Sequence, residues 1–223
     1  MPLSEFNDDL KQFIYLGQER VNVEFKANLT WGNGQTNNFI AKAMMAMSNS
    51  RDGGVIIIGV EDGTFNPVGL SQTEVNSYEY DTIGRYMNNH AQPSIDFTLE
   101  KGQVTEADGT EKLFVVIQVQ EANALPIVCT KTVSINPAGG AHLGNLALRE
   151  GAVYIRSKSP VESREISGHR EWRDFVDLLL DRHQNQLVSK IPWKLLDAAT
   201  QTVADADHFN QQLEDLGSIQ MSC

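Results

Sequence analysis

The 223-residue sequence predicts an α/β domain of mixed α+β type, a mixed sheet with helices packed on it, followed by a C-terminal helical appendage. Three observations predict it. An alternating segment (20–27) and a continuous apolar run (55–60) flank a helical stripe (37–49). A block of strand-like segments then fills 94–135. A long amphipathic segment closes the domain at 167–183. Helical and strand periods that alternate in this way describe helices layered on one sheet.

The elements follow in order. Residues 4–16, SEFNDDLKQFIYL, read as a helix capped by Ser4, with Phe6, Leu10, Phe13 and Ile14 on one face and Gly17 as its stop. In RVNVEFKA (20–27), Val21, Val23 and Phe25 alternate with Asn22, Glu24 and Lys26, the pattern of a half-buried strand. TWGNGQTNN (30–38) is a polar loop. A helix over 37–49 follows, its stripe formed by Phe39, Ile40, Ala43, Met44 and Met47. Gly53-Gly54 reads as a tight turn into VIIIGV, a strand buried on both faces.

NPVGL (66–70) is a turn, and 72–90 reads as one helix with Val75, Tyr78, Ile83 and Met87 inward. The dipeptide Asp108-Gly109 joins SIDFTLEKG (94–102) and KLFVVIQVQ (112–120) as a hairpin. Strands are expected at 126–135 and 151–157, around a loop at 137–145. Trp172, Phe175, Val176 and Leu179 form the stripe of the 167–183 helix, and 191–217 reads as two short helices. The expected division is a domain over 1–185 and the appendage over 186–223.

Composition limits the function. Hydrophobic residues are 41% and charged residues 21%, as in an ordinary globular protein. The net charge of −11 means that any nucleic-acid role rests on a local basic patch, a metal ion or a partner. Two cysteines, Cys129 and Cys223, make neither a disulfide framework nor a four-cysteine zinc site, and a reducing cytoplasm is the expected compartment. The N-terminus lacks a signal-peptide pattern, and no apolar run approaches the ~20 residues of a membrane span. No G-x-x-x-x-G-K-[ST] motif for ATP is present, and the five histidines lack metal-ligand spacing.

The chemistry-bearing residues are Glu19, Glu24, Lys26, Glu61 and Asp62. On a strand, Glu24 and Lys26 share a face. Glu61 and Asp62 leave the end of the apolar strand. If the two strands pair, the carboxylates converge at one sheet end, an oxygen-rich set of the kind that Mg²⁺ or Mn²⁺ prefers, with Lys26 positioned for a phosphate. Glu19 and Glu24 are five apart and meet only if Glu19 lies in the turn before the strand. The ordinary alternative is a solvated strand face with acids at a turn. Arg156, Lys158 and Arg164, with Arg170 and Arg173, form the one evident basic cluster, for phosphate contact or as a solvated face. Trp31 in the 30–38 loop is either a base-stacking residue or part of the core.

The segments ERVNVEFKA (19–27), NFIAKAMMAMSNSRDGGVIIIGVEDG (38–63), NPVGL (66–70) and GAVYIRSKSP (151–160) together resemble the Schlafen-type AlbA-like domain. The likeness covers roughly 18–183. It implies a nucleic-acid-binding module and, as in the nucleolytic members, a metal-dependent endoribonuclease cutting transfer RNA-like or single-stranded substrates, with a role in defence. The carboxylate triad of those members falls on Glu19, Glu24 and Glu61, with Asp62 a close substitute because the third acid is commonly Asp. The resemblance implies Mg²⁺ or Mn²⁺ on this triad. The zinc site of vertebrate members has no cysteines here. Those members also pair two lobes, so a homo-oligomer or a partner protein is expected with this single one. The alternative function is a non-catalytic module that binds nucleic acid or protein.

Overall fold

The computed structural model describes residues 3–135 and 146–190. The chain divides into two compact units, Met1–Trp172 and Arg173–Cys223. That division and the one expected at 185/186 both fall within the helix His169–Lys190. The expected loop at 137–145 and helices at 191–217 lie outside the described residues.

The first unit is built on a four-stranded mixed sheet. β1 (Val23–Lys26) runs parallel to β2 (Gly54–Ile58), and β2 pairs antiparallel with β5 (Glu111–Val119). β5 then pairs with β4 (Phe97–Thr105), giving the order β1-β2-β5-β4. The expected hairpin closes β4 onto β5 through Gly109, whose φ is +85°.

A helix on each face explains why the apolar run of β2 does not alternate. α1 (Asp8–Ile14) packs Leu10 and Ile14 against Val23, Phe25, Ile57, Phe114 and Val116. On the other face, α2 (Gly34–Ser48) packs Ile40, Met44 and Met47 with Ile56, Ile58, Val115 and Ile117. Successive isoleucines of β2 therefore enter opposite cores, and both are sealed. The α2–β2 turn depends on glycine. Gly53 has φ +65°, and a Cβ there would strike the Val119 carbonyl. At Gly54 a Cβ would meet Met47 Sδ at 2.7 Å.

Several expectations are corrected. α1 begins at Asp8, because Asn7 and not Ser4 supplies its cap: Leu10 N–H donates to Asn7 Oδ1 at 2.9 Å. Ser4 and Phe6 instead run beside β4, where Phe6 N–H donates to Gln103 O at 3.1 Å. α2 starts at Gly34 under an Asn33 cap, and Phe39 is 58% exposed instead of joining its stripe. The single helix over 72–90 is two, α3 (Gln72–Ser77) and α4 (Tyr80–His90). The break falls at Tyr78, which takes an extended conformation, buries its ring and donates its hydroxyl to Leu29 O at 2.8 Å.

Short strands complete the unit. β3 (Ala91–Gln92) pairs with β6 (Val128–Cys129), and β7 (Val133–Ser134) pairs with β8 (Leu146–Leu148). The strand expected over 126–135 is thus two short pieces facing different partners. β9 (Tyr154–Lys158), the strand expected at 151–157, turns back as β10 (Val161–Glu165), a return strand that patterning missed, and the hairpin lies against α2. In α5 (His169–Lys190) Phe175 is buried and Leu179 partly so, but Trp172 and Val176 are each 44% exposed, so the expected stripe forms only in part.

Candidate functional site

The parallel pairing of β1 with β2 brings their carboxyl ends side by side: Lys26 sits opposite Ile58, and Lys26 O accepts from Gly59 N–H at 2.8 Å. Ligand sites of open α/β sheets favour this end of parallel strands. Val23 and Phe25 enter the α1 core, so Glu24 and Lys26 project together from the opposite face.

Glu24 is buried, with its side chain 10% exposed. Lys26 Nζ lies 2.6 Å from Glu24 Oε1 and 3.1 Å from Asp62 Oδ2, bridging the two carboxylates. The other oxygen of Glu24 accepts from Arg156 Nη1. Arg156 arrives from β9, its side chain wholly buried. It also donates to Val21 O at 2.9 Å, Val23 O at 3.2 Å, Arg20 O at 3.4 Å and Ser163 Oγ at 2.9 Å. Both oxygens of Glu24 are therefore engaged by protein cations.

A turn carries the third acid. Glu61 N–H donates to Asn66 O at 2.9 Å and Phe65 N–H to Glu61 O at 2.9 Å. Phe65, held at φ +58°, packs edge-on to Phe25 with ring centroids 5.7 Å apart. That anchor folds the turn back over β1 and sets Asp62 against Lys26. The Glu61 side chain takes another path and accepts from Thr64 Oγ1 at 2.5 Å. The structure thus joins Asp62, and not Glu61, to Lys26 and Glu24.

Glu19 lies before β1, in the segment where the sequence needed it. Its pKa is raised: burial contributes most, the Glu24 and Asp62 charges add to it, and Lys26 and Arg156 oppose it. The Lys26 pKa is also raised. Burial is the largest influence and lowers it, but the charge of Glu24 and hydrogen bonds to Glu24 and Asp62 outweigh burial.

The expected nucleic-acid contacts separate. Arg156 grips Glu24 inside the protein and is not a surface phosphate contact. The signal was available: Arg156 shares a strand face with Tyr154, an aromatic two residues away. Arg164 pairs with Glu171 and lies 3.7 Å from Glu162. Lys158 is exposed at the end of β9. Trp31 is core and not a stacking platform. It is 9% exposed, its ring against Tyr86 (5.7 Å) and Tyr78 (6.2 Å), and its backbone N–H donates to Ser77 Oγ at 2.9 Å. Two residues that sequence reasoning passed over support the site. Ser163 holds Arg156. Asn49, 2% exposed at the end of α2, donates to Ile127 O and Tyr154 O (both 2.9 Å) and accepts from Ile127 N–H at 2.8 Å. It thereby ties β9 to α2.

Carboxylate oxygens are the donors that Mg²⁺ or Mn²⁺ prefers. Yet among the described residues no three His, Cys, Asp or Glu side chains are grouped so as to hold a metal ion. The gap between Glu24 and Asp62 is spanned by Lys26. As arranged, these residues do not fit a resident divalent cation.

Fold and site together are those of an AlbA-like α+β domain with a charged cluster at the carboxyl ends of two parallel strands. The chain belongs to the Schlafen AlbA_2 family, whose profile matches residues 19–165. It is similar to an uncharacterized ATP-binding protein of Ureaplasma parvum serovar 3, 29% identical over 125 residues. That match takes in 52% of this chain and 34% of the relative, so the chain spans about a third of that protein's length. A crystal structure of a Corynebacterium diphtheriae protein aligns with a TM-score of 0.43 at 16% identity, covering 74% of this chain and 27% of that one. Among the described residues no helix is long and apolar enough to cross a membrane.

Proposed function

We propose that this domain acts on the phosphodiester backbone of RNA, transfer RNA-like, or of single-stranded nucleic acid, as a Schlafen-type nuclease. The observation that carries the reading is the joining of Glu24 and Asp62 through Lys26 at the carboxyl ends of β1 and β2, with Glu19 near enough to feel the charges of all three. In it, Lys26 contacts the phosphate and offsets charge that develops on its oxygens. Glu19, whose proton affinity is increased by burial, accepts the proton of the attacking oxygen. Glu24, clamped by Arg156, orients Lys26. Lys158 meets the backbone from the exposed end of β9. Mg²⁺ or Mn²⁺ belongs to the proposal as a recruited ion, and a second copy of the chain, or a partner protein, supplies the second lobe of a cradle.

A second reading has its own support. Both oxygens of Glu24 are saturated by Lys26 and Arg156, as in a structural ion network, which favours a non-catalytic nucleic-acid-binding or protein-interaction module. The ATP-binding name of the Ureaplasma relative finds no phosphate-loop motif here: Gly53 precedes β2 and Gly54 opens it, so neither follows the strand.

The test is to incubate the chain with transfer RNA and with single-stranded DNA, in Mn²⁺ or EDTA, alongside Glu19→Gln and Asp62→Asn. The nuclease reading expects metal-dependent cleavage that falls by about 10²-fold or more in each variant. It fails if neither nucleic acid is cut, or if both variants cut like the parent. Glu24→Ala is a poor choice, because it strands a buried guanidinium and confounds catalysis with folding.

A further inference from the structure

α2 carries a second set of side chains that the sheet core does not take up. Gln35, Asn38, Phe39 and Lys42 recur along it at helical spacing, and with Ile135 and Ala147 they line a cavity of about 130 Å³. A largely apolar space of that size holds one six-membered ring, as benzene fills a cavity of roughly 150 Å³. Phe39 and Ile135 stand 58% and 49% exposed at it. Asn38 is 6% exposed, and its Oδ1 accepts from the Tyr86 hydroxyl at 2.5 Å. Among the described residues its amide nitrogen has no partner, yet no buried side-chain nitrogen or oxygen is left unsatisfied. That nitrogen is therefore open to the cavity that Asn38 lines. Lys42, one turn on, is partly buried, with Nζ 5.5 Å from the centroid of the Tyr154 ring. Among the described residues no carboxylate pairs with it. Burial holds its pKa below the ordinary lysine value, and Cys129, Glu165 and Glu162 offset that only in part. Arg149 and Arg164 nearby are already paired, with Glu165 and Glu171. Lys42 and Ala147 also line an adjoining, more open cavity of about 340 Å³. A ring-sized slot, an unused amide donor and an unneutralised ammonium thus meet at one point.

We propose that this slot takes one unpaired nucleotide: the base enters beside Phe39, its edge accepts from the Asn38 amide, and its phosphate meets Lys42. A ring without charge leaves the ammonium without an anion. A bare phosphate leaves the slot and the amide unused. The ligand carries both parts, and a nucleotide is the ring-bearing phosphate that the nucleic-acid reading supplies. The inference rests on that reading, and not on cleavage at the Lys26 cluster. A base stacked and paired in a duplex cannot enter, so the slot selects unpaired bases of a strand or free mononucleotides.

The test measures binding in EDTA, by fluorescence anisotropy of a labelled single-stranded RNA and of the same sequence as a duplex, over a range of salt. The proteins are the full chain, Phe39→Ala, Lys42→Gln and Lys42→Arg, each checked for a parent-like circular dichroism spectrum. Phe39→Ala is expected to weaken single-strand binding about ten-fold with no change in salt dependence, because it removes only a stacking surface. Lys42→Gln is expected to weaken it about ten-fold and to flatten the slope of log K against log salt by about 0.7, the share of one phosphate, while Lys42→Arg keeps the slope. Competition by adenosine and uridine 5′-monophosphates, with inorganic phosphate failing to compete, assigns the slot to free nucleotides as well. Binding of strands alone assigns it to a nucleotide within a chain. The proposal is overturned if both variants keep the parent's affinity and slope, if inorganic phosphate competes as well as a monophosphate, or if the duplex binds as tightly as the single strand. If the chain cuts the strand in Mn²⁺ but Phe39→Ala and Lys42→Gln bind like the parent, the slot falls and the nuclease reading stands. If binding depends on both residues and nothing is cut, the slot stands and the nuclease reading falls. If no strand and no monophosphate binds the parent, the slot falls.

Discussion

Glu24 and Arg156 form a pair whose value is positional. Two charges removed from water gain little net stability from each other, yet removing one leaves the other stranded. Their effect is to fix a carboxylate at the end of β1 to which Lys26 can turn. Glu19 is different, because its surroundings oppose its charge. Its folded-state pKa lies above the ordinary 4.5, so the folded protein holds that proton more tightly than the unfolded chain. Stability is therefore lost as pH rises from 4.5 through the raised value. Glu19→Gln is expected to raise the Tm at pH 7 by about 1–2 °C, with the gain vanishing below pH 4.5, in a calorimetric pH series. An equal gain at every pH would show that the Glu19 charge is not the cause. At this scale the sequence was half legible. Period-2 spacing put Glu24 and Lys26 on one face, and the turn before the strand suited Glu19. It could not show that Glu24 is buried, because the guanidinium that permits burial comes from 132 residues downstream. Nor could it choose between Glu61 and Asp62, since that depends on how Phe65 seats on Phe25.

The elements were legible where local pattern and tertiary packing agree. The β2 run, the β4–β5 hairpin and α2 all follow from periodicity and turn chemistry, though α2 begins at Asn33's cap, upstream of the pattern. The failures occurred where tertiary contacts prevailed. Ser4 lost its cap to pairing beside β4, and the ring of Tyr78 broke a helix that its periodicity would have continued. β10 went unseen because Val161–Glu165 is short and mostly polar. Asn49 joins α2, the approach to β6 and β9 through three buried hydrogen bonds. Asn49→Ala would leave Ile127 N–H without its acceptor and is expected to cost about 2–4 kcal/mol in urea unfolding. A loss below about 1 kcal/mol would show that β9 is held by its other contacts.

Across the first unit, stability is graded from the centre of the sheet outward. β2 lies between β1 and β5, with a core on each side, and the backbone of the unit can open there only by losing both. Amide exchange is therefore expected to be slowest in β2 and the facing half of β5, and faster in the two-residue strands β3, β6 and β7. If the short strands proved as protected as β2, this gradient would be wrong. The fold class was readable because it follows from the order of the elements. The pairing of remote pieces, on which the site depends, was not.

The guanidinium of Arg156 also covers backbone. β1 is an end strand of the sheet, and the carbonyl of its first residue, Val23, and that of Val21 in the turn before it lie where a strand from another molecule would dock. Arg156 donates to both. The side chain that fixes the acid thus plugs an open sheet border, so a chain that lost it would become adhesive as well as misassembled at its charged cluster.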